Sequence, residues 1–251
     1  IRGFTTMSEK MDAKALASFL NDYLGIMTKL VFAHSGTLDK YIGDAVMAFW
    51  GAPLALPTHA RDSLRAAIAM MRALNDHQQR FKETHGVSVA IGIGINTGMV
   101  NVGNMGSDQN FEYTVIGDHV NLASRLEGLT KEYGVTIVTS RFTMDAIKAA
   151  SPDENIPTRV LDFVKVKGKK QAVELLQVLD RDMDAAGLLL FAEARELYAA
   201  QKWDQAITRF SEANVKLAPS DSQLDGPCGV FMERCEQFKK APPEADWDGS
   251  W

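Results

Sequence analysis

Residues 36–51, GTLDKYIGDAVMAFWG, carry the pattern that decides the fold. Leu38 and Tyr41 precede Gly43-Asp44, and Val46, Ala48, Phe49 and Trp50 follow it, so apolar material flanks a pair suited to a sharp two-residue reversal. The stretch predicts a β-hairpin. A stable turn accounts for the shape but not for Lys40 and Asp44, two charges near the tip of an otherwise apolar ribbon. A carboxylate there can hold a divalent cation while a lysine addresses a polar ligand edge. The local pattern leaves both the plain turn and the ligand site open.

Upstream, Leu16, Phe19, Leu20, Leu24, Met27 and Val31 recur at helical spacing, which predicts a helix from Ser8 to about Ala33 packed on a sheet. Downstream, Gly51-Ala52-Pro53 ends the hairpin, because proline lacks the donor a ladder needs. A second helix is predicted from His59 to about His85, with Leu64, Ile68, Met71, Leu74 and Phe81 on its apolar face and Gly86 as its stop. Val87–Ile95, VSVAIGIGI, reads as a buried strand. Its second face, Ala90, Gly92 and Gly94, is nearly bare and open to close approach by backbone or ligand. Gly98 to Gly106 reads as strand and turn, since neither its glycine spacing nor its context suits a dinucleotide fingerprint.

Phe111–Ile116 alternates as another strand, and Gly117-Asp118 leads into the helix HVNLASRLEGL with Asp118 as its N-cap. Asn121 and Arg125 share one face of that helix, beside a buried stripe of Leu122, Leu126 and Leu129. The pair reads either as a solvated polar edge or as an amide and a fixed cation that orient a sugar and offset charge on phosphate. Val135–Thr139, Arg141–Ala149, Val160–Val166 and Ala172–Leu179 then read as strand, helix, strand and edge strand. A basic run, Lys165, Lys167, Lys169 and Lys170, starts within the third of these and ends before the last, and reads either as a wet turn or as a lysine folded back onto a phosphate.

The remainder changes character. Leu188–Ala200 and Lys202–Leu217 form a helical hairpin similar to a single tetratricopeptide-like unit, and Val230–Phe238 supplies a helix to cover its apolar face. The expected partition is a main domain over 1–180, the helical extension over 186–241 and an irregular, mobile tail over 242–251. A length of 251 residues with 46% hydrophobic content suits one substantial folded domain with an appendage. The formal charge of −5 argues against a broadly basic nucleic-acid surface and favours a small ligand. Cys228 and Cys235 have no histidine nearby and are expected to be free thiols. Nothing reads as a signal peptide or an apolar run of membrane-spanning length, and the opening IRGFTTMSE, which lacks an initiator methionine, reads as the start of a truncated chain.

The order of elements predicts an α/β (α+β) fold, a mixed sheet covered by helices. With IRGFTTMSE, DKYIGDAVMAFWGAP, GIGINTGMV, YTVIGDHVNLASRLE and VKVKGK in this order, the chain closely resembles the class III adenylate cyclase catalytic domain of bacteria over most of residues 1–180. The resemblance implies the ferredoxin-like nucleotidyl cyclase fold and conversion of ATP to cyclic AMP and pyrophosphate, with two Mg2+ or Mn2+ ions per site. It makes Asp44 the second metal-binding aspartate. It sets Ile1 beside the position of the first, which falls immediately upstream, and Ile1 itself offers no carboxylate. Gly3, Phe4 and Thr5 fall in the loop that cradles the triphosphate, and Lys40 with Thr114 forms the adenine-reading version of the base pair of residues. Asn121 and Arg125 would place the ribose and stabilise the pentavalent phosphorus, and Lys167 would reach the terminal phosphates. Asn110 stands where related sequences often carry arginine.

The resemblance also implies a homodimer with interfacial sites, an arrangement that would explain the bare Gly92 and Gly94 face. It implies a cytoplasmic location, on the inner side of the bacterial membrane in a longer protein with an upstream sensor. Lys40 and Thr114 disfavour guanylate cyclase activity. The competing expectation is a catalytically impaired cyclase-like module that binds nucleotide for regulation, motivated by the absent first aspartate.

Overall fold

A computed structural model of the chain describes residues 1–107, 109–165, 172–218, 220, 223–244, 247 and 249. It forms two compact units, residues 1–127 with 142–154 and residues 128–141 with 155–251.

In the first unit a short helix α1 (Phe4–Ser8) precedes α2 (Ala13–Ala33). Helix α2 starts later than the apolar spacing predicts because the Asp12 carboxylate accepts from the Ala15 amide at 2.8 Å and fixes the N-terminus there. Its buried row is Phe19, Tyr23, Met27 and Val31, one residue per turn, while Leu16, Leu20 and Leu24 are half-buried. Phe19 meets Phe81 of α3 (His59–His85) edge-on at 5.8 Å, which seats the two helices on one another. Gly86 ends α3 in the left-handed conformation, φ 70°.

Strands β1 (Thr37–Ile42) and β2 (Ala45–Phe49) form the expected hairpin, with Ile42 opposite Ala45 and Gly43 at φ 62° in the turn. One irregularity interrupts it. The register passes from Leu38↔Ala48 to Lys40↔Met47, so Asp39 is the extra residue of a bulge.

The predicted strand at 87–95 is regular only as β3 (Ile93–Ile95). Before it, the side-chain amide of Gln78 takes the place of a ladder partner, accepting from the Val89 amide at 3.1 Å and donating to the Val89 carbonyl. The bare face of Gly94 is filled from within the chain: a Cβ there would stand 2.2 Å from the Glu127 amide nitrogen and 2.4 Å from the Ala123 carbonyl oxygen of α4 (Asp118–Glu132). At Gly94 the close approach that the bare face allows is made by the backbone of α4. Strands β4 (Asn101–Ser107) and β5 (Asn110–Ile116) pair antiparallel from Asn101↔Ile116 to Ser107↔Asn110. Helix α4 follows β5, and the Gly117 carbonyl, one residue ahead of the predicted cap, accepts its first amide bonds from Val120 and Asn121. Helix α5 (Arg141–Ala150) completes the unit.

The second unit contains β6 (Ile137–Ser140), β7 (Thr158–Lys165) and β8 (Ala172–Val178), with β8 antiparallel to both others. Three helices follow: α6 (Ala185–Ala199), α7 (Trp203–Leu217) and α8 (Gly226–Lys240). Asp184 and Asp225 cap α6 and α8. Phe191, Phe210 and Phe231, one from each helix, meet in a buried cluster, with Phe210 and Phe231 stacked at 5.2 Å. The predicted covering helix is therefore present, and its aromatic face closes the hairpin. Trp247, in the stretch read as a mobile tail, packs against Tyr198 at 5.3 Å and Phe238 at 5.2 Å.

Buried ion pairs tie α8 to β7. Arg159 grips Asp225 with two hydrogen bonds, 2.8 and 2.9 Å, and donates from Nε to Gln177. Arg234 donates to Asp162 at 2.5 Å, to Glu132 at 2.9 Å and to the Tyr133 hydroxyl at 3.0 Å, and Tyr133 in turn donates to Asp162. Burial opposes the charge of Arg234, but Tyr133 and Asp162 hold its pKa above the ordinary value.

Candidate functional site

The residues singled out from the sequence fall into three local groups. The first lies at the hairpin tip. Asp44 occupies the turn after Gly43, where a two-residue reversal projects its carboxylate, one-fifth exposed, away from the ladder. The amino group of Ile1 meets it at 2.5 Å. Burial and, next, the charge of Asp44 push the Tyr23 phenol above its ordinary pKa. Behind Ile1, the Arg2 amide donates to the Ala90 carbonyl at 2.7 Å, and Gly3 at φ 65° turns the chain into α1, whose first residues are Phe4 and Thr5. The Asp44 carboxylate suits a hard divalent cation. Among the described residues no group of three or more His, Cys, Asp or Glu side chains gathers to complete such a centre.

The second group joins β1 to β5. Lys40 Nζ lies 2.5 Å from Glu112 Oε2 and 3.5 Å from Asp39 Oδ1. The Glu112 hydrogen bond raises the Lys40 pKa, partly opposed by desolvation and assisted by the charge of Asp39. Asp39 Oδ2 accepts from the Thr114 hydroxyl at 2.8 Å and from the Val115 amide at 3.2 Å. The Asp39 side chain is fully buried whereas that of Lys40 is 36% exposed. Thr114 pairs with Gly103, and nothing stands within 4 Å of the place a Cβ would take at Gly103. Thus Lys40 and Thr114, distant in sequence, share Asp39 and border open space.

The third group is on α4. Asn121 and Arg125 stand one turn apart on its exposed side, while Leu122 and Leu126 are buried and Leu129 is half-buried. Both polar side chains therefore face outward on a helix anchored by its leucines. Lys167 lies outside the described residues. Asn110 opens β5 with its amide donating to Ser107 Oγ at 3.3 Å.

Two residues of the second group escaped the sequence reading. Glu112 shares the β5 face of Thr114, so alternation places it correctly, but nothing local links it to Lys40. Asp39 is hidden by its bulge, because strict alternation gives no reason for a strand acid to turn inward beside a lysine.

An adenylate cyclase of Anabaena cylindrica is 41% identical over 183 residues, covering 71% of this chain and 35% of that protein. The terminal-differentiation specific adenylate cyclase of Dictyostelium discoideum is 36% identical over 247 residues. That match covers 94% of this chain, including its C-terminal helices, and 11% of the relative. The chain thus spans about a third or less of the length of these relatives. Among solved structures, the adenylyl cyclase CyaB from P. aeruginosa matches with a TM-score of 0.61 at 35% identity, covering 72% of this chain and 90% of that one. The α/β architecture is that of the nucleotidyl cyclases. The description "Adenylate and Guanylate cyclase catalytic domain" fits residues 1–178, and the chain belongs to that family.

Proposed function

We propose that the chain is the catalytic part of an adenylate cyclase, acting on ATP to give cyclic AMP and pyrophosphate. The observation that carries this reading is the group in which Lys40 and Thr114 converge on the buried Asp39, with open space beside Gly103 opposite Thr114, in a family that contains both adenylate and guanylate cyclases. Lys40 donates and Thr114 accepts, a pattern complementary to the ring nitrogen and amino group of adenine. In the reaction the ribose 3′-oxygen bonds to the α-phosphorus as the bond from that phosphorus to the bridging oxygen of the β-phosphate breaks; the hydroxyl proton leaves to solvent and pyrophosphate departs. Asn121 orients the ribose, and Arg125 offsets charge developing on the phosphorus oxygens. Lys167 holds the terminal phosphates, and Gly3, Phe4 and Thr5 cradle them.

Asp44 is the side chain here that would hold Mg2+ or Mn2+, beside Ile1. A bound ion would supply Lewis-acid charge at the 3′-oxygen and the phosphates.

Two copies are proposed to share each site, with Asp44 of one subunit facing Lys40, Thr114, Asn121 and Arg125 of the other. The exposed Tyr41, Ile42, Phe111 and Ile116 on β1 and β5 support a dimer surface. The proposed partition is catalysis within 1–180 and bracing by the extension at 186–241, consistent with the buried ties of Arg159 and Arg234 to their carboxylate partners. Among the described residues no helix is long and apolar enough to cross a membrane, and the catalytic part is assigned to the cytoplasmic side of a longer membrane protein.

The test is cyclic AMP and cyclic GMP production by the full-length protein with ATP or GTP and Mn2+, beside Asp44→Ala. Cyclic AMP formation that collapses in the variant is expected. Equal activity in both proteins would remove Asp44 from the metal role, and nucleotide binding without turnover would favour the regulatory module.

A further inference from the structure

The Asp39 side chain is wholly buried in the bulge of β1, yet its Oδ1 has no hydrogen-bond partner; the ammonium of Lys40, 3.5 Å away, is committed to Glu112. An under-partnered buried carboxylate is costly to the fold. What it does achieve is directional. The Val115 amide can only donate, so Oδ2, which receives it at 3.2 Å, is an acceptor, and the Thr114 hydroxyl proton points at the same oxygen over 2.8 Å. A threonine hydroxyl has one proton to donate and two lone pairs. With the proton directed inward, Thr114 presents only lone pairs to the open space beside Gly103.

We infer that Asp39 is a specificity-determining positioning residue: by taking the hydroxyl proton of Thr114 it makes that oxygen an obligate acceptor, which admits the amino group of adenine and repels the 6-oxygen of guanine. Without Asp39 the hydroxyl rotates freely and donates to a 6-oxo purine as readily as it accepts from a 6-amino one. Lys40, a donor only, cannot impose this distinction at the 6-position. The inference rests on the reading above, in which Thr114 meets the base.

The experiment measures kcat/KM for ATP and for GTP, with competitive binding of both nucleotides as a second readout, in the full-length protein and four variants. Asp39→Ala is expected to lower the ATP-to-GTP ratio on the order of tenfold, the discrimination one directed hydrogen bond supplies. Asp39→Asn, whose amide oxygen can receive both the Val115 amide and the Thr114 hydroxyl, should restore the ratio. Merely structural damage would lower both substrates together and leave the ratio alone. Asp39→Ser, which can donate as well as accept, serves if the alanine protein does not fold, and it too should lower the ratio. An unchanged ratio in Asp39→Ala, or in Asp39→Ser where the alanine protein does not fold, overturns the proposal. Thr114→Val separates the two levels: if it shifts the ratio while Asp39→Ala does not, only the role of Asp39 falls, whereas if it shifts nothing, the assignment of Thr114 to the base falls and takes the proposal with it.

Discussion

Two regions of this molecule handle charge in opposite ways. In the second unit Arg159 and Arg234 are buried, 4% exposed each, and their guanidinium groups are committed to carboxylates, an amide and a phenol. Around the hairpin the side chains of Lys40, Glu112 and Asp44 are partly open to solvent. Saturated buried pairs fix helices to a strand and have nothing left to offer a ligand; under-committed charges at a surface contribute little to folding and remain available for chemistry. The contrast is what the proposed roles, bracing in one region and recognition in the other, would require.

The largest expected effect breaks the first half of that contrast. Arg234→Met leaves Asp162 buried without its cation and should cost about 3–5 kcal/mol in urea unfolding. Arg159→Met, which strands Asp225 and loosens the cap of α8, should fall in the same range. If either protein unfolds with the midpoint of the parent, the ion pairs do not brace the helices.

Next in size is an effect on turnover rather than stability. Arg125 stands on the exposed side of α4, and Arg125→Ala should lower kcat on the order of a hundredfold, with KM for ATP little changed. A matching rise in KM would mean that Arg125 binds the ground state and has no special hold on the transition state.

How much of this was legible in the sequence follows the same division. Glycine marks the turn at Gly43 and the end of α3 at Gly86 because a left-handed backbone is needed at both, and a single chain shows that directly. The site was legible as separate pieces: Lys40 with Asp44, and Asn121 with Arg125, are neighbours by local spacing. Its wiring was not. Asp39 turns inward only because a bulge shifts the register, and Glu112 reaches Lys40 across 72 residues of chain. The Gln78 amide that substitutes for a strand beside Val89 is equally invisible to periodicity, as is the return of Trp247 onto Tyr198. Local rules report what a residue prefers; they do not report which distant group it meets.

A smaller effect is expected from pH. Burial raises the pKa of the Cys235 thiol from 9.0 to about 12 and raises that of Cys228 as well. A group whose folded pKa lies above its unfolded value contributes fully below the unfolded value, so stability should hold to about pH 9 and decline toward pH 12 as the unfolded thiols ionise first. The same burial predicts that a thiol reagent at pH 8 reacts with neither cysteine until urea is added. Rapid labelling of the native protein would show that α8 opens far more readily than its packing indicates.

The smallest expected change in stability is the sharpest test of the contrast. The Lys40–Glu112 pair is short, 2.5 Å, but both side chains reach solvent, where water competes for each charge and two long chains lose freedom in meeting. Lys40→Ala should therefore leave the unfolding midpoint within error of the parent while ATP turnover falls, the outcome that the proposed role of Lys40 toward the base requires. The hairpin keeps its turn at Gly43 and its ladder from Thr37↔Phe49 to Ile42↔Ala45 without that ammonium. A clear drop in the midpoint would mean that Lys40 supports the buried Asp39 at 3.5 Å more than it serves the surface, and the hairpin would then belong with Arg159 and Arg234 among the charges that hold structure.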